Sequence, residues 1–294
     1  MKPTDALHRF ELERANVRGV LVRLEESWKQ VRERAEYPPA LASLLSRTLA
    51  ASALFTGNIK FEGSLSIQLK SAGALGLLFA ECSHDGRLRG LARWEGEIPD
   101  DFQLIADDRA PLLAITIQND ASGQRYQGLV PVEDADLATL FERYFERSEQ
   151  LPTRVMLVDD GERCAGLMLQ LMPSSGETTD DADAWNRVGH LLATATRDEL
   201  LHLPPAELLA RLFHEESVRL HTPRPLAFGC RCSRERVAGM LRSLGRAEAD
   251  ASMNDDGFIE VTCEFCNTHY RFDRVDVEHA LRSDAGAPSS STPQ

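Results

Sequence analysis

Four of the six cysteines in this 294-residue chain form two close pairs near its C-terminal end. One residue separates Cys230 from Cys232, and two residues separate Cys263 from Cys266. Four thiolates supplied by two close pairs can surround one tetrahedral Zn²⁺ ion at Zn–S distances of about 2.3 Å. The spacing therefore predicts one zinc ion per chain, bound by these four cysteines.

The same two pairs could also carry out redox chemistry. A C-x-C pair closes a disulfide only with distorted geometry, because its Cα atoms lie near or beyond the usual limit of about 6.8 Å. A strained disulfide of this kind is easily reduced again, whereas a C-x-x-C pair closes readily. Neither pair can form a disulfide while its thiolates bind zinc. A permanent structural staple and a redox-sensitive site both remain open at this point.

The sequence around the second pair predicts a zinc knuckle. Residues 257–262, "GFIEVT", alternate as a strand, and residues 269–272, "HYRF", can return as its partner. Cys263 and Cys266 then lie in the turn between two strands. His269 and His279 are also nearby, but four thiolates complete a zinc site, so we predict that neither histidine is a ligand.

Helices complete the predicted zinc-binding module, residues 228–283. Ser233 is a good N-cap for a helix that ends near Leu244, before Gly245, and a second helix is predicted over residues 275–282. Structural zinc supplies about 10–16 kcal/mol of apparent binding free energy in small modules. We therefore expect this module to unfold when it loses its metal.

The N-terminal part, residues 1–173, has the pattern of an α+β domain with a large, mainly antiparallel sheet. Helices are predicted within residues 37–55 and 134–151. Two strands joined near Ala15–Asn16 are predicted within residues 9–24. Further strands are predicted at residues 63–69, 75–82, 88–94, 114–118, 127–132 and 154–158. The remaining cysteines, Cys82 and Cys164, are predicted to be buried packing residues.

A helical linker, residues 174–227, is predicted between the sheet domain and the zinc module. It opens with an exposed Ser/Thr/Asp-rich stretch, and residues 185–213 then carry apolar stripes at helical spacing, with a second helix starting at Pro204–Pro205. These stripes are too short to form a core of their own, so they must pack on a neighbour or a partner. Residues 284–294 are predicted to be a disordered tail.

Charge and motifs exclude several classes of function. The formal net charge of −13 disfavours nucleic acid as a partner, since such a surface repels phosphate backbones. The chain shows no secretory signal and no apolar run long enough to span a bilayer, so we expect a cytoplasmic protein without membrane partners. No P-loop, G-x-S-x-G or H-E-x-x-H motif is present, and the sequence therefore gives no argument for an enzyme.

Several longer segments resemble the 33 kDa chaperonin family, the redox-regulated heat-shock holdases. The segments that carry the resemblance are "RFELERANVRG", "YPPALASLLSRTLAA", "RSEQLPTRVMLV", "AGLMLQLMP", "CRCSRERV" and "GFIEVTCEFCNTHYRFDRVDV". Together they extend over essentially the whole chain, and the four cysteines match the C-x-C and C-x-x-C motifs of the family one for one.

The resemblance implies a chaperone of the oxidative stress response that assists protein folding without ATP. In the family, the reduced zinc-bound form is an inactive or weakly active monomer. Peroxide or hypochlorite converts the cysteines to two disulfides, which would be Cys230–Cys232 and Cys263–Cys266 here. Zinc is released, the switch module and linker unfold, and the protein, usually dimeric, holds unfolding clients for later transfer to ATP-dependent chaperones. The residues that bind clients are not identified by the sequence.

Two other functions remain as alternatives. The chain could be an adaptor or binding protein with a permanently structural Cys₄ zinc site, whose thiols resist oxidants. It could also be a thiol oxidoreductase, although the knuckle setting, the second cysteine pair and the absence of a βαβ context around residues 263–266 argue against that reading.

Overall fold

The computed structural model describes residues 5–59, 61–71, 73–104, 111–133, 136–173, 181 and 183–282. The predicted disordered tail, residues 284–294, lies outside the described residues, as does most of the Ser/Thr/Asp-rich stretch at the start of the predicted linker. The chain divides into two compact units, Met1–Gly229 and Cys230–Gln294. The rest of the predicted linker therefore belongs to the first unit, and the predicted functional boundaries between domains stay predictions.

Strands and helices of the first unit alternate in an order typical of an α+β fold. Its strands are β1 (Ala6–Leu12), β2 (Val17–Leu24), β3 (Gly63–Lys70), β4 (Leu75–Ser83), β5 (Arg87–Trp94), β6 (Leu112–Asn119), β7 (Arg125–Pro131), β8 (Thr153–Asp159), β9 (Cys164–Leu171), β10 (Val218–Leu220), β11 (Arg224–Pro225) and β12 (Ala227–Phe228). Its helices are α1 (Glu26–Arg32), α2 (Pro39–Asn58), α3 (Leu137–Tyr144), α4 (Ala184–Ala193), α5 (Arg197–His202) and α6 (Pro205–Phe213). A π-helical turn, Phe145–Glu149, continues α3.

The strands form two sheets rather than one large sheet. The first sheet has the order β10-β1-β2-β9-β8, with β11 also paired to β1, and the second has the order β12-β5-β4-β3-β6-β7. All of these pairs are antiparallel except the short β12–β5 pair. The predicted α+β class with mainly antiparallel strands is confirmed.

Helix α2 lies in the core between the two sheets. It starts at a Pro-Pro sequence, where the missing amide hydrogen of Pro39 costs no helical hydrogen bond. Its side chains pack on β2, β8 and β9 of the first sheet and on β3, β4 and β5 of the second. By length and composition α2 could cross a membrane, but 78% of its most apolar 18-residue window is buried inside the protein, as in a core helix.

Helices α4, α5 and α6 cover the other face of the first sheet. Leu208, Leu212 and Phe213 of α6 are buried against sheet residues such as Phe10 and Leu167. A Thr196–Glu199 capping box fixes the start of α5. The apolar stripes predicted from sequence are therefore buried on the sheet within the first unit. We call this set of contacts the linker interface.

Residues 217–229, which we call the strap, join the edges of both sheets. Strand β10 pairs with β1, β11 pairs with β1 in turn, and β12 pairs with β5 of the second sheet. The carboxylate of Glu216, just before the strap, is almost fully buried and forms hydrogen bonds of 2.6 and 3.1 Å with the Arg187 guanidinium of α4. The end of the linker helices and the strap are thus tied together.

The second unit is small and contains one hairpin and three helices among its described residues. Its elements are α7 (Arg234–Leu244), α8 (Arg246–Ala251), β13 (Phe258–Thr262), β14 (His269–Asp273) and α9 (Arg274–Arg282). The predicted hairpin and the two predicted helices are confirmed, and α8 was not predicted. The core of this unit consists of five buried side chains, namely Leu241, Ala249, Ile259, Phe272 and Val277.

Candidate metal centre

The turn between β13 and β14 positions Cys263 and Cys266. Thr262 is the last residue of β13 and lies opposite His269. The Cys263 amide donates to the Thr268 carbonyl at 2.9 Å, and the amides of Cys266 and Asn267 donate back to the Cys263 carbonyl. Asn267 has a φ of 56°, in the left-handed region that asparagine tolerates better than most residues. This closed turn holds both thiols at one end of the hairpin.

The first pair stands immediately before helix α7. Ser233 is the N-cap, and its hydroxyl oxygen accepts a hydrogen bond from the Arg236 amide at 3.3 Å, as its sequence position predicts. Within the pair, the Cys232 amide lies 3.5 Å from the Cys230 sulfur. The helix start therefore fixes where the chain presents these two thiols.

The four predicted ligands converge. The Sγ atoms of Cys230, Cys232, Cys263 and Cys266 all lie within 4.8 Å of one another, and each residue is partly buried. The Cys230–Cys263 sulfur distance is 3.6 Å and the Cys232–Cys266 sulfur distance is 3.3 Å. Zn–S bonds of about 2.3 Å in a tetrahedron place the sulfurs about 3.8 Å apart. The group therefore has the spacing of a tetrahedral four-sulfur site and could hold a metal ion.

The ionisation of the thiols also favours a bound cation. Burial raises the pKa of Cys230 to about 12. Burial acts in the same direction on Cys266, but hydrogen bonds with the Thr268 side chain and backbone and with the neighbouring thiols outweigh it and lower this pKa to about 6. Without a cation the cluster therefore ionises at one sulfur first, since four negative charges at these distances repel strongly. A divalent ion removes that repulsion.

Two polar side chains contact the sulfurs and were not predicted as site residues. The Tyr270 hydroxyl donates to Cys232 Sγ at 3.1 Å, and the Thr268 hydroxyl lies 3.2 Å from Cys266 Sγ. Their signal in the sequence is position, because both follow Cys266 in the strand that leaves the turn. His269, by contrast, contacts the Thr262 hydroxyl at 2.9 Å. Neither His269 nor His279 belongs to the cluster that could hold a metal.

Substitution of Tyr270 by phenylalanine is expected to weaken metal binding about tenfold, because outer-shell hydrogen bonds typically contribute that much or more to metal affinity. The ring remains, so the packing of β14 should be retained. Competition with a chromogenic chelator on the reduced protein measures the affinity. Tyr126→Phe, on an exposed residue of the first unit, is the matched control. Equal affinities in the two variants would contradict a role for the hydroxyl.

The other two cysteines lie elsewhere in the fold. Cys82 in β4 and Cys164 in β9 are both fully buried, as predicted. Burial raises the pKa of Cys82 to about 12 and raises that of Cys164 well above its usual value. Both side chains therefore remain thiols at neutral pH, and neither has the exposed, ionised form that oxidants attack.

Comparison with known proteins shows one consistent family. The model of the family described as Hsp33 protein matches residues 5–273. A protein of Nitrosococcus oceani named 33 kDa chaperonin is 46% identical over 293 residues, which cover 99% of each chain. Proteins with the same name from Shewanella sediminis and Methylobacillus flagellatus are 40% and 39% identical, and each alignment covers at least 97% of both chains.

A solved structure shows the same fold. The crystal structure of the 33 kDa chaperonin (heat shock protein 33 homolog) from Thermotoga maritima superimposes with a TM-score of 0.78 at 20% sequence identity. The superposition covers 95% of this chain and 98% of the other. At this level of identity the likeness concerns the fold alone.

Proposed function

Because the chain belongs to the Hsp33 family of chaperones, we propose that it is a redox-regulated, ATP-independent holdase whose four clustered cysteines control client binding. The observation that carries this proposal is the convergence of Cys230, Cys232, Cys263 and Cys266 on one site. Relatives in the family are named chaperonins rather than enzymes, so the prediction that the chain is not an enzyme is confirmed.

In the reduced state, all four cysteines serve as ligands of one Zn²⁺ ion. Four sulfur donors in a tetrahedral arrangement suit zinc, which keeps one oxidation state in the cell. The bound ion supplies folding free energy to the second unit, whose own core has only five buried side chains. Cys230 and Cys232 then fix the start of α7, and Cys263 and Cys266 fix the end of the β13–β14 hairpin.

Oxidation removes the ligands. The two thiolates of one pair give up two electrons and form one disulfide, and hydrogen peroxide accepts these electrons with two protons to become two water molecules. A second peroxide oxidises the other pair in the same way. Disulfide sulfurs carry no negative charge and bind zinc poorly, so the metal leaves and the second unit loses its main source of stability.

The linker interface connects loss of the second unit with client binding. Cys230 directly follows the strap, and the strap follows helices α4–α6, so unfolding that starts at the cysteines reaches the strap first. Release of the strap and helices would expose Leu208, Leu212 and Phe213 together with Phe10 and Leu167 of the sheet. We propose these two complementary surfaces as the sites that hold unfolding clients.

Oxidation is expected to produce the disulfides Cys230–Cys232 and Cys263–Cys266. The closest sulfur contacts in the reduced protein join members of different pairs, so distance alone does not select this pattern. Local closure is favoured because the ring is short and forms even after the second unit has unfolded. Mass spectrometry of proteolytic peptides after peroxide treatment identifies the links. A Cys230–Cys263 or Cys232–Cys266 link as the main product would contradict this prediction.

The competing function, a binding protein with a permanent zinc staple, predicts a different response to oxidants. Fluorescence of a hydrophobic dye and suppression of aggregation of a heat-unfolded enzyme should both rise after peroxide treatment of the holdase. Neither should change if the zinc is permanent. Unchanged dye binding, with metal still bound, would contradict the holdase proposal and favour the staple.

Cellular setting and partners complete the proposal. We propose a cytoplasmic protein that is a monomer when reduced and a homodimer when oxidised, and that passes its clients to ATP-dependent chaperones. The net charge of −13 supports this role, because charge repulsion keeps a protein with exposed apolar surface in solution. Sedimentation of the reduced and oxidised forms measures the change in oligomeric state.

A further inference from the structure

A groove of about 940 Å³ opens in the first unit where β1 and β2, the end of α2 and the strap meet. A smaller cavity of about 450 Å³ adjoins it and shares Arg9, Ile59 and Arg224 with it. Neither cavity includes any of the four clustered cysteines, so the redox site does not account for them. The side chains at their common boundary are largely basic.

The groove carries excess positive charge in a strongly acidic protein. Four arginines line it, namely Arg9, Arg18, Arg219 and Arg224, against the two glutamates Glu11 and Glu13. Both glutamates are engaged by Arg219, with its Nε lying 3.0 Å from Glu13, and His221 also contacts Glu11. No described carboxylate lies within ion-pair distance of the other three arginines. Arg18 has only the neutral Gln170 amide oxygen, at 2.5 and 3.0 Å.

Arg224 has unsatisfied donors at the boundary between the two cavities. Its Nη1 donates to the His84 carbonyl at 2.9 Å, but the buried Nε and Nη2 atoms have no hydrogen-bond partner. Burial of this guanidinium, together with the like charge of Arg9, lowers its pKa. Buried donors of a charged group are costly when unpaired, and such groups in native proteins usually have a ligand, an ion or water as a partner.

We infer that the groove binds a phosphate-type oxyanion between the guanidinium groups of Arg224 and Arg9, with Arg18 close to the same groove. Guanidinium forks match phosphate oxygens in pairs, and two cations facing one cavity favour a multiply charged anion over a singly charged one. The carboxylate of Glu62 lines the smaller cavity, so the anion occupies the side that opens to the larger groove. Free phosphate, pyrophosphate and phosphorylated small molecules share this chemistry.

The site links two parts of the first unit. Arg224 belongs to β11 in the strap and Arg9 belongs to β1, so a bound anion neutralises the repulsion between them and favours the attached strap. This inference concerns the first unit and does not depend on the holdase proposal, because anion binding can be measured in the reduced protein whatever its response to oxidants.

Isothermal titration of the reduced, full-length protein with pyrophosphate and with inorganic phosphate, at constant ionic strength, tests the site. One saturable site per chain is expected, with pyrophosphate bound more tightly than phosphate. Arg9→Gln and Arg224→Gln should each weaken binding at least tenfold. Arg125→Gln, which removes an exposed arginine outside the groove, should leave binding unchanged. Metal content is measured before and after titration, since pyrophosphate also binds metal ions.

Arg9 is exposed, so its glutamine variant should fold normally even if the Arg224 variant is unstable. Arg224→Lys, which keeps the charge without the fork, should bind with intermediate affinity. The inference is overturned if the wild type shows no saturable binding at millimolar pyrophosphate. It is also overturned if Arg9→Gln binds as the wild type does, or if Arg125→Gln loses as much affinity as Arg9→Gln.

Discussion

Substitution of Cys266 by serine is expected to reduce the metal content of the reduced protein from one ion per chain to nearly none. A serine hydroxyl is protonated at neutral pH and does not replace a thiolate ligand. The second unit should then unfold. Its five buried side chains contribute about 1.5–3 kcal/mol each, whereas ordering a chain segment costs about 1–2 kcal/mol for every residue. Structural zinc would supply about 10–16 kcal/mol of the difference.

Metal analysis and limited proteolysis of the Cys266→Ser protein measure both effects, and the variant should hold clients without any oxidant. Cys82→Ala is the matched control, because Cys82 is fully buried in β4 and lies outside the cluster. The control should keep its metal and its response to peroxide. A Cys266→Ser protein that binds one zinc ion and still switches normally would contradict the assignment of the four ligands.

Substitution of Phe213 by alanine is expected to activate the protein before oxidation. Phe213 is fully buried in the linker interface and stacks on Phe10 with ring centroids 6.2 Å apart. Loss of a buried phenylalanine costs about 3–5 kcal/mol, and here the whole cost falls on the attachment of α6 to the sheet. The reduced variant should therefore bind more hydrophobic dye and suppress client aggregation, with its metal content unchanged.

Phe141→Ala provides the control of equal chemistry. Phe141 is also fully buried, but it packs against Phe55 in the core around α2, away from the linker interface. This variant should lose a similar free energy of unfolding without any gain in client holding at temperatures where it stays folded. If the two variants gain equal activity, or if Phe213→Ala gains none, release of α4–α6 does not control client binding.

The larger elements of the fold were predictable because their patterns are local. Alternation in residues 9–24 predicted both β1 and β2, and the leucine spacing after the Pro-Pro sequence predicted α2. The cysteine spacing placed the Cys263 and Cys266 turn between two strands, as found. The resemblance to the 33 kDa chaperonins is confirmed by the family comparison over nearly the whole chain.

Elements that depend on distant partners were missed. Helix α1 has no cap in its own sequence, since the Asp5 carboxylate, more than twenty residues earlier, accepts from the amides of Glu25, Glu26 and Ser27. Strands β10, β11 and β12 are two or three residues long and show no alternation. They exist because the edges of β1 and β5 are available for pairing.

Other errors come from short segments and apolar runs. The sequence of β9 is apolar on both faces, as expected for a strand with helices on either side, so it shows no alternation, and it was not assigned as a strand. The region of residues 185–213 was predicted as helical with one break, but Thr196 adds a further start, so three helices form. In the site, contacts of Tyr270 and Thr268 with the sulfurs require the closed hairpin and have no motif of their own.

The most direct test of the central claim follows zinc and client binding in one sample. The reduced protein is treated with peroxide at raised temperature, zinc release is read with a chromogenic chelator, and aliquots are assayed for suppression of aggregation of a heat-unfolded enzyme. We predict that one zinc ion per chain is released and that holdase activity rises with the same time course. Zinc that stays bound, or that leaves without any gain in client binding, would contradict the redox switch and leave the cysteine cluster as a structural staple.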